Sequence, residues 1–556
     1  MTLSVYNELI ESYYHAWFRF HPETAVELGV EGYSNALTPY GDDDVGALIT
    51  LNEKLIDAID GLDRSELTED QNIDLQLMMG SALIESKQLI DADWRSKDPT
   101  RFIPVNAIYQ LTIRPIKDRK AALQSRLSDI PHYLRGAKAH LTSDPHSIPP
   151  IWLESAIIEA QQGVEYFRSL TENPVVEPLR LNSEIDDAAH ALDDFAKFMQ
   201  KDLVKQANGE FACGREMFEL LLNFRHGINN DADTIYKFGQ DLFDTTWQAL
   251  CKITESLTGN QDVAALTAKI QEQFKPEGNL LGHYQSTMQS AYEFVKANDL
   301  VSLPEQQVLH VVDTPGFLRH QIPLAAYMDP LPTDKSQTGY YYVTPPMDEA
   351  SWGEHNLISL QHTCVHEAWP GHHLQFVTAN QQPVSSSWPR MVNASASLYE
   401  GWALYCEQLM FEQGFLNQPE SEFVLLKDRL WRAMRVMIDV DLHVNNVSAE
   451  ACMQKMQQKL GFSEAQARGD VTWYTRYPTV PLGYAVGWSL INKTRERLQT
   501  TETDFSLKDF HDRLLSSGSM GLPWVLRKNF GEPLWKSVQE SVFNPSTPSP
   551  SGRGLG

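Results

Sequence analysis

Cysteine is scarce in this sequence, and its scarcity argues against a disulfide-stapled protein. The 556 residues include five cysteines, an odd number, and none forms a CxxC pair. Disulfide-rich domains normally carry an even number of cysteines at short spacings. We therefore expect free thiols and a reducing compartment. Cys364 and Cys406 lie near the metal motifs described below, where packing thiols are commoner than thiolate ligands.

Positive charge is also scarce. The chain has 46 Lys and Arg against 73 Asp and Glu, a formal net charge of -27, and no basic run. Nucleic acids and anionic membrane surfaces are bound through basic patches. We therefore expect no nucleic-acid partner and no membrane partner, and the acidity favours neutral or basic substrates.

Long apolar runs and glycine-rich phosphate loops are absent from the sequence. No run approaches the length of a membrane span, and no Rossmann or P-loop pattern occurs. The N-terminal segment, residues 1–14, has neither the basic region nor the apolar core of a signal peptide. We expect a cytoplasmic protein, or a periplasmic one if a leader has been removed.

Metal-binding residue types are densest in the segment His362–Thr378, which reads HTCVHEAWPGHHLQFVT. The usual zincin signature, HExxH, places two His on one helix face, and the Glu between them activates water. Here the fourth position after His366 is Pro370, which offers no ligand atom and no N–H. We therefore expect the helix to kink or bulge at Pro370 and Gly371.

The partner of His366 is either His372 or His373. In an undistorted helix His372 points roughly 120° away from His366, whereas His373 shares its face but lies roughly 10 Å farther along the axis. A two-residue bulge would give His372 the phase and rise of the missing fourth position. We favour His372 as the ligand and keep His373 as the alternative.

A third ligand is expected, because catalytic zinc sites usually have three protein ligands and one open position. The segment from Ala396 onward predicts a buried helix, with apolar residues at steps of three and four: Leu398, Trp402, Tyr405 and Leu409. Glu400 interrupts this buried stretch. A carboxylate there either needs compensation by a cation or metal, or is an ordinary exposed helix carboxylate. We assign Glu400 as the third ligand and Glu407 as an orienting or fallback ligand.

These motifs resemble a large, mainly bacterial helical family, long catalogued as a domain of unknown function and grouped with the gluzincin metallopeptidases. The likeness rests on HEAWPGHHLQ and YEGWALY and extends to four further segments: His21–Gly29, Gly339–Pro346, Arg435–His443 and Arg476–Gly487. The resemblance implies one Zn2+ per chain, held by His366, Glu400 and one of His372 or His373. It also implies that Glu367 is the general base.

The expected fold is mainly α, a large helical gluzincin-like body with a small β-sheet next to the metal-binding helix. Two apolar stripes predict amphipathic helices: Leu153, Ile157, Ala160, Val164 and Phe167, then Ile185, Ala188, Leu192, Phe195 and Met199. Segments 307–316 and 339–344 predict strands. We expect one integrated domain over residues 1–543, helical over residues 1–300 and carrying the metal site in residues 301–543, followed by a disordered tail over residues 544–556.

Several other residues have candidate roles in catalysis. Tyr484 is a candidate oxyanion donor, in a stretch whose flanking glycines could let the backbone approach a ligand. The alternative is a buried tyrosine with an ordinary hydrogen bond. His443 is a second candidate. Arg435, Asp439 and His443 recur every four residues, which predicts either a substrate-binding network or a solvated helix face.

Three residues are candidates for substrate binding. Arg435 and Arg476 are cations that could meet the free carboxylate of a peptide. Tyr341 lies in a predicted strand that could pair with an extended peptide through a free edge, or could pack as a structural hairpin.

The function predicted from these residues is zinc-dependent hydrolysis of short peptides, by an oligopeptidase or a carboxypeptidase. The alternatives are a metal-dependent amidase acting on non-peptide amides, and a catalytically inactive binding protein of the same fold. Two His and one carboxylate could also hold Fe(II) for oxygen chemistry. The sequence does not predict side-chain preference or oligomeric state.

Overall fold

The structure is a computed structural model that describes residues 2–319, 322, 324–346, 352–384 and 387–544. It is 70% helical with a small three-stranded sheet, which confirms the predicted mainly α class. Within the described residues no helix is both long and apolar enough to cross a membrane. The predicted disordered tail lies outside the described residues from 545 onward.

The chain forms two compact units. The first comprises Met1–Phe211, Thr314–Pro323 and Leu331–Asp334, and the second comprises Ala212–Asp313, Leu324–Pro330 and Lys335–Gly556. Every site residue predicted from the sequence belongs to the second unit. The single integrated domain expected over residues 1–543 stays a prediction.

The described portion of the first unit contains nine α-helices. In chain order, α1 to α9 are Thr2–Trp17, Pro22–Glu27, Asp42–Asp60, Glu69–Asp91, Trp94–Lys97, Val105–Ile113, Arg119–Ser143, Pro150–Ser169 and Asn182–Phe198. The first predicted apolar stripe lies on α8, and the second lies on α9 and the turn that follows it. Both stripes face the core, and only Ile157 is half-buried. Gly163 lets α8 pack closely, because a Cβ there would lie 2.8 Å from Leu192 of α9.

The described portion of the second unit contains fifteen α-helices. Four precede its sheet, α10 to α13: Gly214–His226, Ala232–Thr258, Val263–Gln273 and Leu280–Ala297. Five follow the sheet, α14 to α18: Leu357–Glu367, His372–Gln381, Trp388–Val392, Ala396–Glu412 and Ser421–His443. Six complete the unit, α19 to α24: Ala449–Leu460, Glu464–Arg476, Gly483–Thr501, Leu507–Leu515, Leu522–Phe530 and Glu532–Phe543.

The sheet has the strand order β1-β3-β2, with β1 at Val308–Asp313, β2 at Ala325–Met328 and β3 at Thr338–Val343. Strand β3 pairs in parallel with β1 and antiparallel with β2. The two strands predicted from the sequence are confirmed as β1 and β3. The short β2 was not predicted.

Helix α17 is the buried helix that the sequence predicts. It begins after Ser395, whose hydroxyl accepts a hydrogen bond from the Ser397 N–H, as helix N-caps commonly do. Its four predicted apolar residues, Leu398, Trp402, Tyr405 and Leu409, are fully buried. Burial of Leu398 and Leu409 stabilises the fold by about 1.5–3 kcal/mol each, so the helix that carries Glu400 is firmly held.

Two buried histidines connect α17 and its N-cap to distant segments. The His226 ring lies 2.7 Å from the Ser395 hydroxyl and 3.0 Å from the Thr479 hydroxyl. In His511, Nδ1 donates to the Leu300 carbonyl at 2.7 Å and Nε2 accepts from the Tyr405 hydroxyl at 2.8 Å. Burial lowers the pKa of His226 to about 3 and that of His511 to about 4, so both rings are neutral in the folded protein.

Acidification should therefore destabilise the second unit. Unfolded histidine binds a proton near its ordinary pKa of about 6.5, whereas these buried rings do not until about pH 3 or 4. Between those values the unfolded state binds more protons, and each histidine lowers the free energy of unfolding by about 1.4 kcal/mol per pH unit as pH falls. His511→Gln should make the free energy of unfolding depend less steeply on pH. Urea unfolding measured from pH 7 to pH 5 checks this.

The matched control is His190→Gln at an exposed position. It should leave the slope as in the wild type. An equal slope in His511→Gln and the wild type would mean that His511 is not a neutral buried group.

Candidate metal centre

The metal motif spans a break between two helices. Helix α14 ends at Glu367 and α15 begins at His372. The Gly371 N–H donates to the Val365 carbonyl at 3.1 Å, six residues back. An α-helical donor is normally four residues beyond its acceptor. The turn from Val365 to Gly371 therefore contains two more residues than a regular helical turn. The predicted distortion at Pro370 and Gly371 is confirmed, in the form of a complete break.

Glycine is required at position 371 by the closeness of the preceding turn. A Cβ on Gly371 would lie 1.8 Å from the His366 carbonyl oxygen and 2.4 Å from that of Val365. The break is also tied to α17, since the Trp402 indole N–H donates to the Pro370 carbonyl at 2.8 Å. These contacts fix the position at which α15 starts.

The break brings His366, His372 and Glu400 together. Glu400 Oε2 lies 3.5 Å from His366 Nε2 and 3.2 Å from His372 Nε2. The three candidate ligand atoms all lie within 4.8 Å of one another, and the two imidazole rings are nearly perpendicular, at 89°. The set is the one favoured from the sequence, and its role as a metal site stays a prediction.

The alternative ligand, His373, turns away from this cluster. Its Nδ1 lies 3.1 Å from the Tyr327 hydroxyl, and its ring packs edge-on against Trp369. Burial lowers the pKa of His373 to about 3, so its ring is neutral. The geometry therefore separates His372 from His373, which the sequence left open.

Glu407 orients the first imidazole. Its Oε1 accepts a hydrogen bond from His366 Nδ1 at 2.7 Å, which directs Nε2 of the same ring toward Glu400. Burial opposes a charge on His366, but hydrogen bonds to Glu400 and Glu407 raise the pKa of its ring to about 10. The cluster thus has a strongly negative potential that favours a cation.

Glu367 and Tyr484 border the cluster. Burial raises the pKa of the Glu367 carboxyl, against the opposing effect of His372 and His366. The Tyr484 ring stacks on the His366 ring at 6.2 Å and 17°. Burial and the neighbouring Glu400 carboxylate keep the pKa of the Tyr484 hydroxyl well above its ordinary value, so it remains a proton donor.

The glycines beside Tyr484 serve helix packing, which differs from the predicted role in backbone approach to a ligand. A Cβ on Gly487 would lie 2.0 Å from the Ser397 carbonyl oxygen, and one on Gly483 would lie 2.6 Å from the Ala396 Cβ. Helix α21 therefore crosses α17 at very short range. That crossing places Tyr484 next to Glu400.

The stripe of Arg435, Asp439 and His443 on α18 is buried, so the predicted alternative of a solvated helix face is wrong. Arg435 Nε donates to the Tyr474 hydroxyl at 2.7 Å, and His443 Nε2 contacts the Tyr474 carbonyl at 3.0 Å. Asp439 accepts from the Thr479 N–H at 3.2 Å. The stripe holds the end of α20 and the loop that leads to Tyr484, and His443 is not in the candidate ligand cluster of the described residues.

Arg435 lies in an aromatic box beside the cluster. Its guanidinium stacks on the Trp431 ring at 4.2 Å and on the Tyr484 ring at 4.5 Å. Its Nη1 is buried and has no hydrogen-bond partner among the described residues. The second predicted cation, Arg476, is the half-buried last residue of α20.

The predicted free edge at Tyr341 is wrong. Tyr341 lies on β3, the central strand, which is hydrogen-bonded to β1 on one side and to β2 on the other. Its side chain is fully buried and packs against Tyr284. Tyrosine and β-branched residues suit a central strand as well as an edge strand, so composition could not distinguish the two.

Two features around the cluster were not predicted from the sequence. Tyr327 of β2 stacks on His372 and contacts His373, but its strand is too short to have a recognisable pattern. A second cluster joins His362, Glu407 and Asp428. Its signal was the position of His362, four residues before His366 and therefore on the same helix face.

The thiols near the motifs belong to neither candidate ligand cluster of the described residues. All five cysteines are free, as predicted, and Cys364 and Cys406 are fully buried. Burial raises the pKa of both thiols well above the ordinary value. They pack as small apolar groups.

The chain matches one protein family over most of its length. The profile of the family described as "Bacterial protein of unknown function (DUF885)" matches residues 22–529. The chain belongs to this family. No curated protein matches the chain.

Two solved structures share the fold. One is described as a candidate lipoprotein of unknown function from Shewanella oneidensis, with a TM-score of 0.76 and 21% identity over 95% of this chain and 100% of that one. The other is a candidate lipoprotein from Colwellia psychrerythraea, with a TM-score of 0.79 and 19% identity over 96% of this chain and 99% of that one. Identities this low establish the fold alone.

Gly371→Ala should damage the cluster. The added methyl group collides with the His366 and Val365 carbonyl oxygens, which should cost about 1–3 kcal/mol of stability and displace His372. Urea unfolding and zinc content after dialysis measure the two effects. Gly469→Ala, a helical glycine with open space around its Cβ position, is the control. Normal stability and zinc content in Gly371→Ala would refute the steric role of Gly371.

Proposed function

We propose that this chain is a zinc-dependent metallopeptidase that hydrolyses peptide bonds of short peptides. The observation that carries the proposal is the convergence of His366, His372 and Glu400, with Glu367 next to His366 in the chain. This arrangement supports the proposal, because a catalytic zinc site requires three protein ligands and a carboxylate base.

The donor set fits zinc in type and spacing. Two imidazoles and one carboxylate are common ligands of catalytic zinc, with ligand distances near 2.0–2.2 Å. A tetrahedral ion of that size separates its ligand atoms by about 3.3–3.6 Å. The separations from Glu400 Oε2 to the two imidazoles, 3.5 and 3.2 Å, are close to those values. Glu407 provides the carboxylate that commonly orients a zinc-bound histidine.

Glu367 and Tyr484 supply the proton chemistry. A zinc ion bound by the three ligands would polarise the substrate carbonyl and lower the pKa of a water molecule. The Glu367 carboxylate accepts the proton of the attacking water and then delivers it to the leaving amine. Its raised pKa makes it a stronger base than an ordinary carboxylate. The neutral Tyr484 hydroxyl donates to the oxyanion that develops on the carbonyl oxygen.

Arg435 supports action at the free C-terminus of a peptide. Its guanidinium stacks on Tyr484, the residue that borders Glu400. Tyr474 engages its Nε and Asp470 Oδ2 lies 4.0 Å from its Nη2, whereas Nη1 is buried and has no hydrogen-bond partner among the described residues. A carboxylate is the usual partner of such a group. We therefore favour a carboxypeptidase over an endo-acting oligopeptidase.

The cytoplasmic location stays a prediction. The free cysteines are compatible with it. The two solved relatives are described as candidate lipoproteins, which favours a location at the cell envelope for proteins of this fold. Fractionation of the producing cell distinguishes the two locations.

Glu367→Gln should abolish most activity and leave the metal bound. The amide cannot accept a proton, so kcat should fall by about 10²–10⁴-fold, measured on a library of short peptides, with unchanged zinc content. Glu422→Gln, an exposed carboxylate on α18, is the matched control. Full activity in Glu367→Gln would exclude Glu367 as the base.

The identity of the metal is tested separately by elemental analysis of protein purified without chelator. Iron without zinc would exclude the zinc assignment.

Amidation of a substrate's C-terminus should lower kcat/KM by about 10–100-fold, because a charge-assisted hydrogen bond to Arg435 is lost. The same peptide with a free C-terminus and an acetylated N-terminus is the control, and its kcat/KM should stay within a few fold of the unmodified peptide. Arg435→Gln should narrow the difference between acid and amide. Equal cleavage of acid and amide by the wild type would argue for endo action.

A further inference from the structure

A second set of metal-ligand side chains lies beside the first. His362 on α14, Glu407 on α17 and Asp428 on α18 place one candidate ligand atom each within 4.8 Å of the others. None of the three belongs to the set of His366, His372 and Glu400. The second set therefore needs an explanation of its own.

His362 is the strongest indication of a ligand. The residue is 1% exposed, and neither ring nitrogen has a hydrogen-bond partner among the described residues. A buried neutral imidazole normally has a partner for each nitrogen, because one nitrogen is a donor and the other an acceptor. Glu407 Oε2 is also buried without a partner in the described chain. It lies 3.9 Å from His362 Nδ1, too far for a hydrogen bond.

This set combines two carboxylates with neighbouring basic side chains, Arg432 among them, that offset part of their charge. Glu407 and Asp428 contribute two carboxylates, and Arg432 lies 3.3 Å from Asp428 Oδ1. That contact occupies one oxygen of Asp428. Glu407 Oε1 is occupied by His366, so its second oxygen is free to face His362. An imidazole with two carboxylates is a donor set that suits Zn2+ and neighbouring divalent metals.

We propose that His362, Glu407 and Asp428 bind a second divalent cation, which holds Glu407 in the position that orients His366. His362 and His366 are four residues apart on α14, a rise of about 6 Å. Because Glu407 bonds to His366 through its other oxygen, an ion held by this set acts on the first set through Glu407, which is a positioning role. This donor set is separate from the first, and binding of an ion to it does not require the first set to bind metal.

Zinc titration of the chelator-treated protein tests the proposal. The wild type should bind two zinc ions per chain, measured by calorimetry and by elemental analysis. His362→Phe should bind one, and Asp428→Asn should bind the second ion at least tenfold more weakly. His355→Phe, an equally buried histidine whose ring bonds to Tyr284, is the control and should keep two.

The two centres can be distinguished in the same experiment. His366→Ala should lose only the first ion, and in crystals of the wild type the anomalous signal at the zinc edge should show two peaks. One ion in the wild type that His362→Phe retains, or a water at the second position, overturns this inference and leaves the first centre intact. One ion that His362→Phe removes and His366→Ala retains overturns the proposed catalytic centre instead.

Discussion

The hydrogen bond from the Gly371 N–H to the Val365 carbonyl, six residues back instead of four, sets the geometry of the whole centre. It accommodates two extra residues between helices α14 and α15. Without it, His372 would point away from His366 and the two imidazoles could not meet. The Trp402 indole N–H then fixes the same break to α17, the helix that supplies Glu400. Local backbone geometry therefore positions His372, and helix packing positions Glu400 beside it.

The centre concentrates negative charge inside a helical body, and this is its main energetic cost. Glu400 and Glu407 lie seven residues apart on α17, where Glu407 is almost fully buried and Glu400 is largely buried. Removing an ion from water costs several kcal/mol unless it is paired. His366 contacts both carboxylates, which explains its raised pKa. Cation binding would offset this cost and would connect stability with function.

Much of the fold and some of the site could be predicted from single segments. The apolar steps around Glu400 define a buried helix, and the spacing of the histidines limits which of them can meet His366. Sequence patterns could not reveal long-range packing. The glycines around Tyr484 are required by α17, which is distant in sequence. The polar stripe on α18 is buried because the end of α20 and the loop after it cover it.

By itself, the sequence determined which chemical groups are available: imidazoles and carboxylates on amphipathic helices, and a proline that prevents the standard spacing. Only the tertiary structure decided which groups meet. It selected His372 over His373, made β3 a central strand and created the cluster around His362. The physical reason is that spacing fixes the direction of a side chain within one helix, whereas the contact between two helices depends on packing along the entire chain.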